Sequence, residues 1–216
     1  MSDLSPQLQL SPGLTIGYGA PLARTSEGIS LGRGTHFLLG RNGRGKTTLL
    51  RTVAKTIREL EGEVSRTGRM RYVPEDLGFD EELNAASIFK ALIPKARFKS
   101  AMELARRIEL DVKKPYGKLS TGNRRKTNLI VAEFSLDPDE PNILLLDEPF
   151  SGLDAYARQQ FEEIWAASAD NTLRLVSCHP DYDSMEMPSA LVIQGDRILH
   201  TLDQEQTWSE LKSLLN

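Results

Sequence analysis

Gly40, Gly43, Gly45, Lys46 and Thr47 fall in the order G-x-x-x-x-G-K-T, with Arg41, Asn42 and Arg44 between the glycines and Thr48 after them. Glycines at these intervals let successive backbone N–H groups turn inward. A following helix adds the partial positive charge of its N-terminus and the lysine adds a point charge, so the stretch suits the phosphates of a nucleotide. The threonine hydroxyl is a hard oxygen ligand of the kind Mg²⁺ takes. Further along, Ile143-Leu144-Leu145-Leu146 runs into Asp147-Glu148. An apolar strand that ends in two carboxylates sets them at its C-terminal edge, where such sheets hold ligands. Asp147 there suits a Mg²⁺ partner, through water. Glu148 suits a general base that takes a proton from, or orients, the water attacking a γ-phosphate.

A framework has to carry these groups. Residues 14–18, 35–40, 70–73, 142–147, 172–178, 190–194 and 197–201 read as short apolar strands bounded by Gly, Pro or charge. Residues 45–57 continue helically from the glycine loop, and 155–167 form a helix that starts after Asp154. Strands alternating with helices predict an α/β core on a mostly parallel sheet. The block from about 78 to 117 breaks the alternation: Ala85, Ile88, Phe89 and Leu92 share one helical face, and Ala101, Leu104, Ala105 and Ile108 another. It reads as a helical subdomain inserted into the core and ending with the helix that begins near Ser120. The expectation is a single domain over 1–216, with core 1–77 and 136–216 and a helical subdomain over about 78–135. Trp208, Leu211 and Leu215 at helical spacing give a packing helix at 204–215.

Composition narrows the class. A chain of 216 residues with formal charge −3 and scattered basic residues has no global attraction to nucleic acid. One cysteine, Cys178, excludes an internal disulfide and reads as a small buried residue. The first residues carry no basic-then-apolar signal, which leads us to expect a cytoplasmic location. No apolar run approaches the roughly 20 residues a membrane helix needs, so direct membrane insertion is not expected.

Leu119-Ser120-Thr121-Gly122-Asn123-Arg124-Arg125 resembles the signature motif of the ATP-binding-cassette ATPases, and it precedes the acidic strand as in that family. Taken with the glycine loop, the likeness extends from Leu14 to about Thr201. It implies a P-loop NTPase core with an antiparallel β portion, ATP and Mg²⁺ as ligands, and a second cassette subunit, identical or homologous. Ser120, Gly122 and Asn123 would face the ATP of that partner. Tyr18, 22 positions before Gly40, resembles the aromatic residue that stacks on adenine. Ser151-Gly152-Leu153-Asp154 resembles the loop through which Asp154 would communicate between the two sites. His179 resembles the switch histidine that contacts the γ-phosphate, and joins Lys46 and Glu148 as catalytic. A separate membrane permease is implied, with the chain held at the inner face of the membrane through it.

Two departures stand out. Tyr72-Val73-Pro74-Glu75 has glutamate where most members have glutamine, placing a carboxylate near metal and γ-phosphate. Pro-Glu here resembles single-domain cassettes paired with exporter permeases. Ser120 and Asp147 stand 27 positions apart, a few more than usual, the surplus falling in the polar stretch 135–141. Asn123 for the usual glutamine is a milder change. A nontransport cassette ATPase acting on nucleic acid or ribosomes, and more remotely a P-loop kinase, remain alternatives.

Overall fold

The structure, a computed structural model, describes residues 5–168, 170–178 and 185–215. In chain order the strands are β1 (Gln7–Leu10), β2 (Thr15–Gly17), β3 (Pro21–Thr25), β4 (Ile29–Leu31) and β5 (Gly34–Gly40). Helix α1 (Lys46–Val53) precedes β6 (Val64–Thr67) and β7 (Arg69–Val73). Then come α2 (Ala85–Leu92), α3 (Lys95–Arg107), α4 (Thr121–Phe134), β8 (Asn142–Leu146) and α5 (Ala155–Ala167). The chain continues through β9 (Thr172–Ser177), β10 (Ser189–Gln194), β11 (Arg197–Leu202) and α6 (Trp208–Lys212).

The chain divides into two compact units, the first made of residues 1–72, 139–148 and 171–216, the second of 73–138 and 149–170. An eight-stranded sheet in the order β2-β3-β11-β10-β5-β9-β8-β7 organises the first unit, with a three-stranded antiparallel sheet β4-β1-β6 beside it in sequence. Strands β10, β5, β9 and β8 run parallel, in that order. Their residues are buried on both faces, which explains why Ile143 to Leu146 is a continuous apolar run and not an alternating one. Leu38, Leu49, Leu50, Ile143, Leu145, Leu173, Leu175, Leu191 and Ile193 form one core with the small-sheet residues Leu8, Leu10 and Val64. The fold is thus mixed α/β, with parallel and antiparallel β portions.

The parallel arrangement fixes the position of the chemistry. Strand β9 lies between β5 and β8, so the loop after β5, the acids after β8 and the end of β9 all emerge at one edge of the sheet.

The second unit is helical. Asn84, Ser120 and Asp154 each cap a helix, their side chains accepting from the backbone N–H of Ser87, Asn123 and Ala157. Helix α4 is buried from Arg125 to Phe134. Its Glu133 accepts from Trp165 Nε1 at 2.8 Å, which gives a buried carboxylate and a buried indole each a partner. Phe89, Ile88, Leu104, Ala105 and Ile108 fill the space between α2, α3 and α4. Leu92 at the end of α2 is exposed, although helical spacing puts it on the same face as Ile88.

Helix α1 is shorter than the pattern over 45–57 suggests. Lys55 has φ 61°, and the N–H of Thr56 returns to Arg51 O, so the helix ends in a left-handed turn. Four strands carry no strong sequence signal: β1, β3, β4 and β6. The tail folds as α6 followed by a 3₁₀ turn, with Trp208, Leu211 and Leu215 all buried.

Candidate functional site

In the first unit, β5 ends at Gly40 and the loop 41–45 leads into α1. Gly43 and Gly45 have φ of 75° and 109°, values that residues with a Cβ rarely adopt. A Cβ on Gly45 would lie 3.0 Å from Leu22 Cδ2. Helix α1 has neither a side-chain cap nor an acidic residue in its first turn, so its N-terminal N–H groups and partial positive charge suit an anion. Arg41, Asn42, Gly43 and Arg44 are exposed; Gly40, Gly45, Lys46 and Thr48 are buried, and Thr47 lies between these extremes.

Lys46 Nζ donates to Gly40 O at 3.0 Å and sits 3.2 Å from Glu148 Oε1. An ammonium has three donors, so one N–H remains for a phosphate oxygen. The two carboxylates after β8 are held differently from one another. Asp147 is 2% exposed and accepts Ser177 Oγ–H on Oδ1 at 2.9 Å and Tyr72 O–H on Oδ2 at 3.2 Å. Glu148 has φ 48°, a left-handed conformation that costs a non-glycine residue about 1–3 kcal/mol. Its N–H donates to Ser177 Oγ at 2.7 Å.

Arg51 on α1 donates to the Tyr18 phenol oxygen at 3.3 Å. Burial pushes the Tyr72 phenol up to about 12. Tyr18 is 61% exposed, so its ring is open to a stacking partner.

The second unit holds the other sequence candidates. Ser120 is exposed at the start of α4, with Gly122 and Asn123 in the first turn. A Cβ on Gly122 would come within 2.6 Å of Gly152 O, so the two glycines let the helix start and the loop 151–154 touch backbone to backbone. Asp154 is joined to α4 by Lys126 Nζ at 2.7 Å. The Lys126 ammonium, helped by the Ala157 N–H, holds the Asp154 carboxyl below the usual carboxylate range. Lys126 is nearly buried and also donates to Ile108 O at 2.9 Å. Glu75 lies 3.8 Å from Arg125 Nη2. His179 lies outside the described residues, and Cys178 is buried.

The structure therefore gathers Gly40, Lys46, Asp147 and Glu148 in one unit, and Ser120, Gly122, Asn123 and Asp154 in the other. Sequence reasoning did not single out Ser177, Arg51 or Lys126 as site residues, and it noted Tyr72 only as a neighbour of Glu75. The donor set beside the loop is hydroxyl and carboxylate oxygen, which fits Mg²⁺. No group of three or more His, Cys, Asp or Glu among the described residues is placed to hold a metal ion by itself.

Fold and glycine loop together define a P-loop α/β NTPase. Residues 28–151 match the ABC transporter family, and the chain belongs to it. It is 38% identical over 126 residues to an uncharacterised ABC transporter ATP-binding protein of Methanocaldococcus jannaschii, covering 54% of this chain and 46% of that one. It is 29% identical over 201 residues to the ABC transporter ATP-binding protein YtrB of Bacillus subtilis, covering 84% and 67%. It is 34% identical over 148 residues to the zinc import ATP-binding protein ZnuC 2 of Aliivibrio fischeri, covering 65% and 59%. The chain thus spans about half to two thirds of the length of these curated relatives. The solved ATP-binding subunit of an ABC transporter superposes with TM-score 0.71 at 20% identity, over 96% of this chain and 98% of that one, a likeness of fold. No helix among the described residues is long and apolar enough to cross a membrane.

Proposed function

We propose that the chain is the ATP-hydrolysing subunit of an ABC transporter, its two units being the core and helical portions of one nucleotide-binding domain. The observation that carries this is the convergence, at one sheet edge, of the glycine loop, Lys46 and the acidic pair, with Lys46 3.2 Å from Glu148. The loop N–H groups and Lys46 hold the phosphates. Tyr18 stacks on adenine. Mg²⁺, held by Thr47 and, through water, by Asp147, with Glu75 as a further oxygen donor, would supply neutralisation of the β- and γ-oxygens. Glu148 meets Lys46 through Oε1, which leaves Oε2 to take a proton from the attacking water. His179 contacts the γ-phosphate.

Ser120, Gly122 and Asn123 face the ATP of a second cassette, identical or homologous, and Asp154 links the two sites. Closure follows from tighter binding of ATP to the paired form than to the open one. The pair drives a separate permease from the cytoplasmic face of the membrane. Export is the direction we infer, from Pro74-Glu75; the zinc-import name of one relative weighs against it.

Glu148→Gln is the test. The amide cannot act as a base, so phosphate release is expected to fall by about 10²–10⁴-fold, the usual contribution of general-base catalysis. ATP binding should persist, and ATP should convert this variant from monomer to dimer in light scattering. Undiminished turnover removes Glu148 as base, and an ATP-loaded variant that stays monomeric contradicts the paired site.

A further inference from the structure

We propose that Ser177 and Tyr72 are positioning residues for the reaction assigned to Glu148: Ser177 fixes the backbone of the glutamate, and the two hydroxyls together fix the carboxylate of Asp147. The inference rests on the ATPase reading above.

Donor and acceptor accounting gives the arrangement one direction. Ser177 Oγ accepts from Glu148 N–H at 2.7 Å, so its own proton goes to Asp147 Oδ1 at 2.9 Å. A carboxylate oxygen only accepts, so the Tyr72 hydroxyl gives its proton to Asp147 Oδ2 at 3.2 Å. Each oxygen of Asp147 thus receives one hydroxyl. The outer torsion of an aspartate is soft, with broad preferences, and two donors on opposite oxygens hold it at one angle. Asp147 keeps lone pairs for a metal-bound water, in an orientation set by its neighbours.

Topology explains why these two residues meet the same carboxylate. Strand β8 has β9 on one side and β7 on the other, and each neighbour contributes one hydroxyl near its end. In the β8–β9 pairing Leu146 lies opposite Val176, which brings the following residues, Asp147 and Ser177, side by side. Ser177 is fully buried and pairs on its other side with Leu38 of β5, the strand that feeds the glycine loop.

Glu148 gives the arrangement its purpose. Its φ of 48° is strained, and a strained residue keeps its conformation only when its surroundings over-determine it. The Ser177 hydroxyl holds its backbone N–H while Lys46 holds its side chain, and Ser177 ties the base to the Asp147 carboxylate through a single oxygen.

The experiment compares Ser177→Ala, Ser177→Thr and Tyr72→Phe with the intact chain, measuring kcat and KM for ATP, the Mg²⁺ concentration for half-maximal rate, and thermal unfolding. Ser177→Ala should lose about a hundredfold in kcat, the scale of a misplacement near 1 Å, with KM nearly unchanged. Ser177→Thr, which keeps the hydroxyl, should recover most of the rate. Tyr72→Phe should raise the Mg²⁺ requirement several-fold without changing ATP affinity. A merely structural serine would lower the melting temperature and leave kcat per folded molecule intact. A folded Ser177→Ala within about twofold of the wild-type kcat overturns the proposal; if that variant does not fold, an unaltered Mg²⁺ requirement in Tyr72→Phe does so. An intact chain that neither binds ATP nor releases phosphate overturns instead the function on which the proposal rests.

Discussion

His36 Nε2 faces Gly32 O at 2.9 Å, an oxygen that only accepts, so Nε2 carries a proton. In the neutral ring Nδ1 then accepts from Ser189 O–H at 2.7 Å, and Ser189 Oγ in turn accepts from His200 Nε2–H at 2.9 Å. Burial lowers the pKa of both histidines below 6.5, and at His36 the neighbouring His200 lowers it further. A depressed folded pKa means that the unfolded chain binds protons first as pH falls below 6.5, so stability is full above that value and drains away beneath it. We expect the melting temperature to drop between about pH 7 and pH 5, each kcal/mol lost appearing as roughly 2–4 °C. Replacing His36 with Gln should flatten that slope; an unchanged slope refutes the assignment. The motif residues themselves were readable because their chemistry is local: glycines, a lysine and a threonine within one loop, two acids after one strand. Ser177 and Tyr72 were not, since the aspartate that gives them meaning lies 30 and 75 positions away and meets them only through strand order.

Among elements, the start of α4 and the loop before α5 act as one piece. Gly122 and Gly152 touch, and Lys126 bolts Asp154 to the helix. Gly122→Ala should cost about 1–3 kcal/mol, because the new methyl would meet a carbonyl oxygen and not the yielding end of a side chain. Lys126→Met should weaken ATP-driven pairing of the Glu148→Gln variant, with Lys126→Arg restoring it. Its stability loss should be modest, because the partner carboxylate is 56% exposed and already solvated. Equal pairing in Lys126→Met and wild-type backgrounds would dismiss this role. The strongly apolar strands and the capped helix α5 were legible, the latter to the residue. Strands β1, β3, β4 and β6 were not: three to five residues of mixed polarity acquire strand structure from partners such as the β1–β6 pairing, with no run of their own to announce it. Helix α1 was overread because nothing in Lys55 signals a left-handed turn.

For the whole molecule, a net charge of −3 conceals an uneven distribution: residues 90–126 hold twelve Lys and Arg against three Asp and Glu. The basic residues are less scattered than the overall count suggests, which bears on the nontransport alternative. A transporter subunit should bind duplex DNA no more tightly than the nonspecific range, about 10⁻⁴–10⁻⁶ M at physiological salt. Titration giving nanomolar affinity would favour the alternative. The chain passes between its two units four times, and two of those passages leave directly from residues described above: Tyr72 is followed by Val73, and Glu148 by Pro149. Tyr72 and Glu148 are thus the residues at which the sheet unit hands the chain to the helical one.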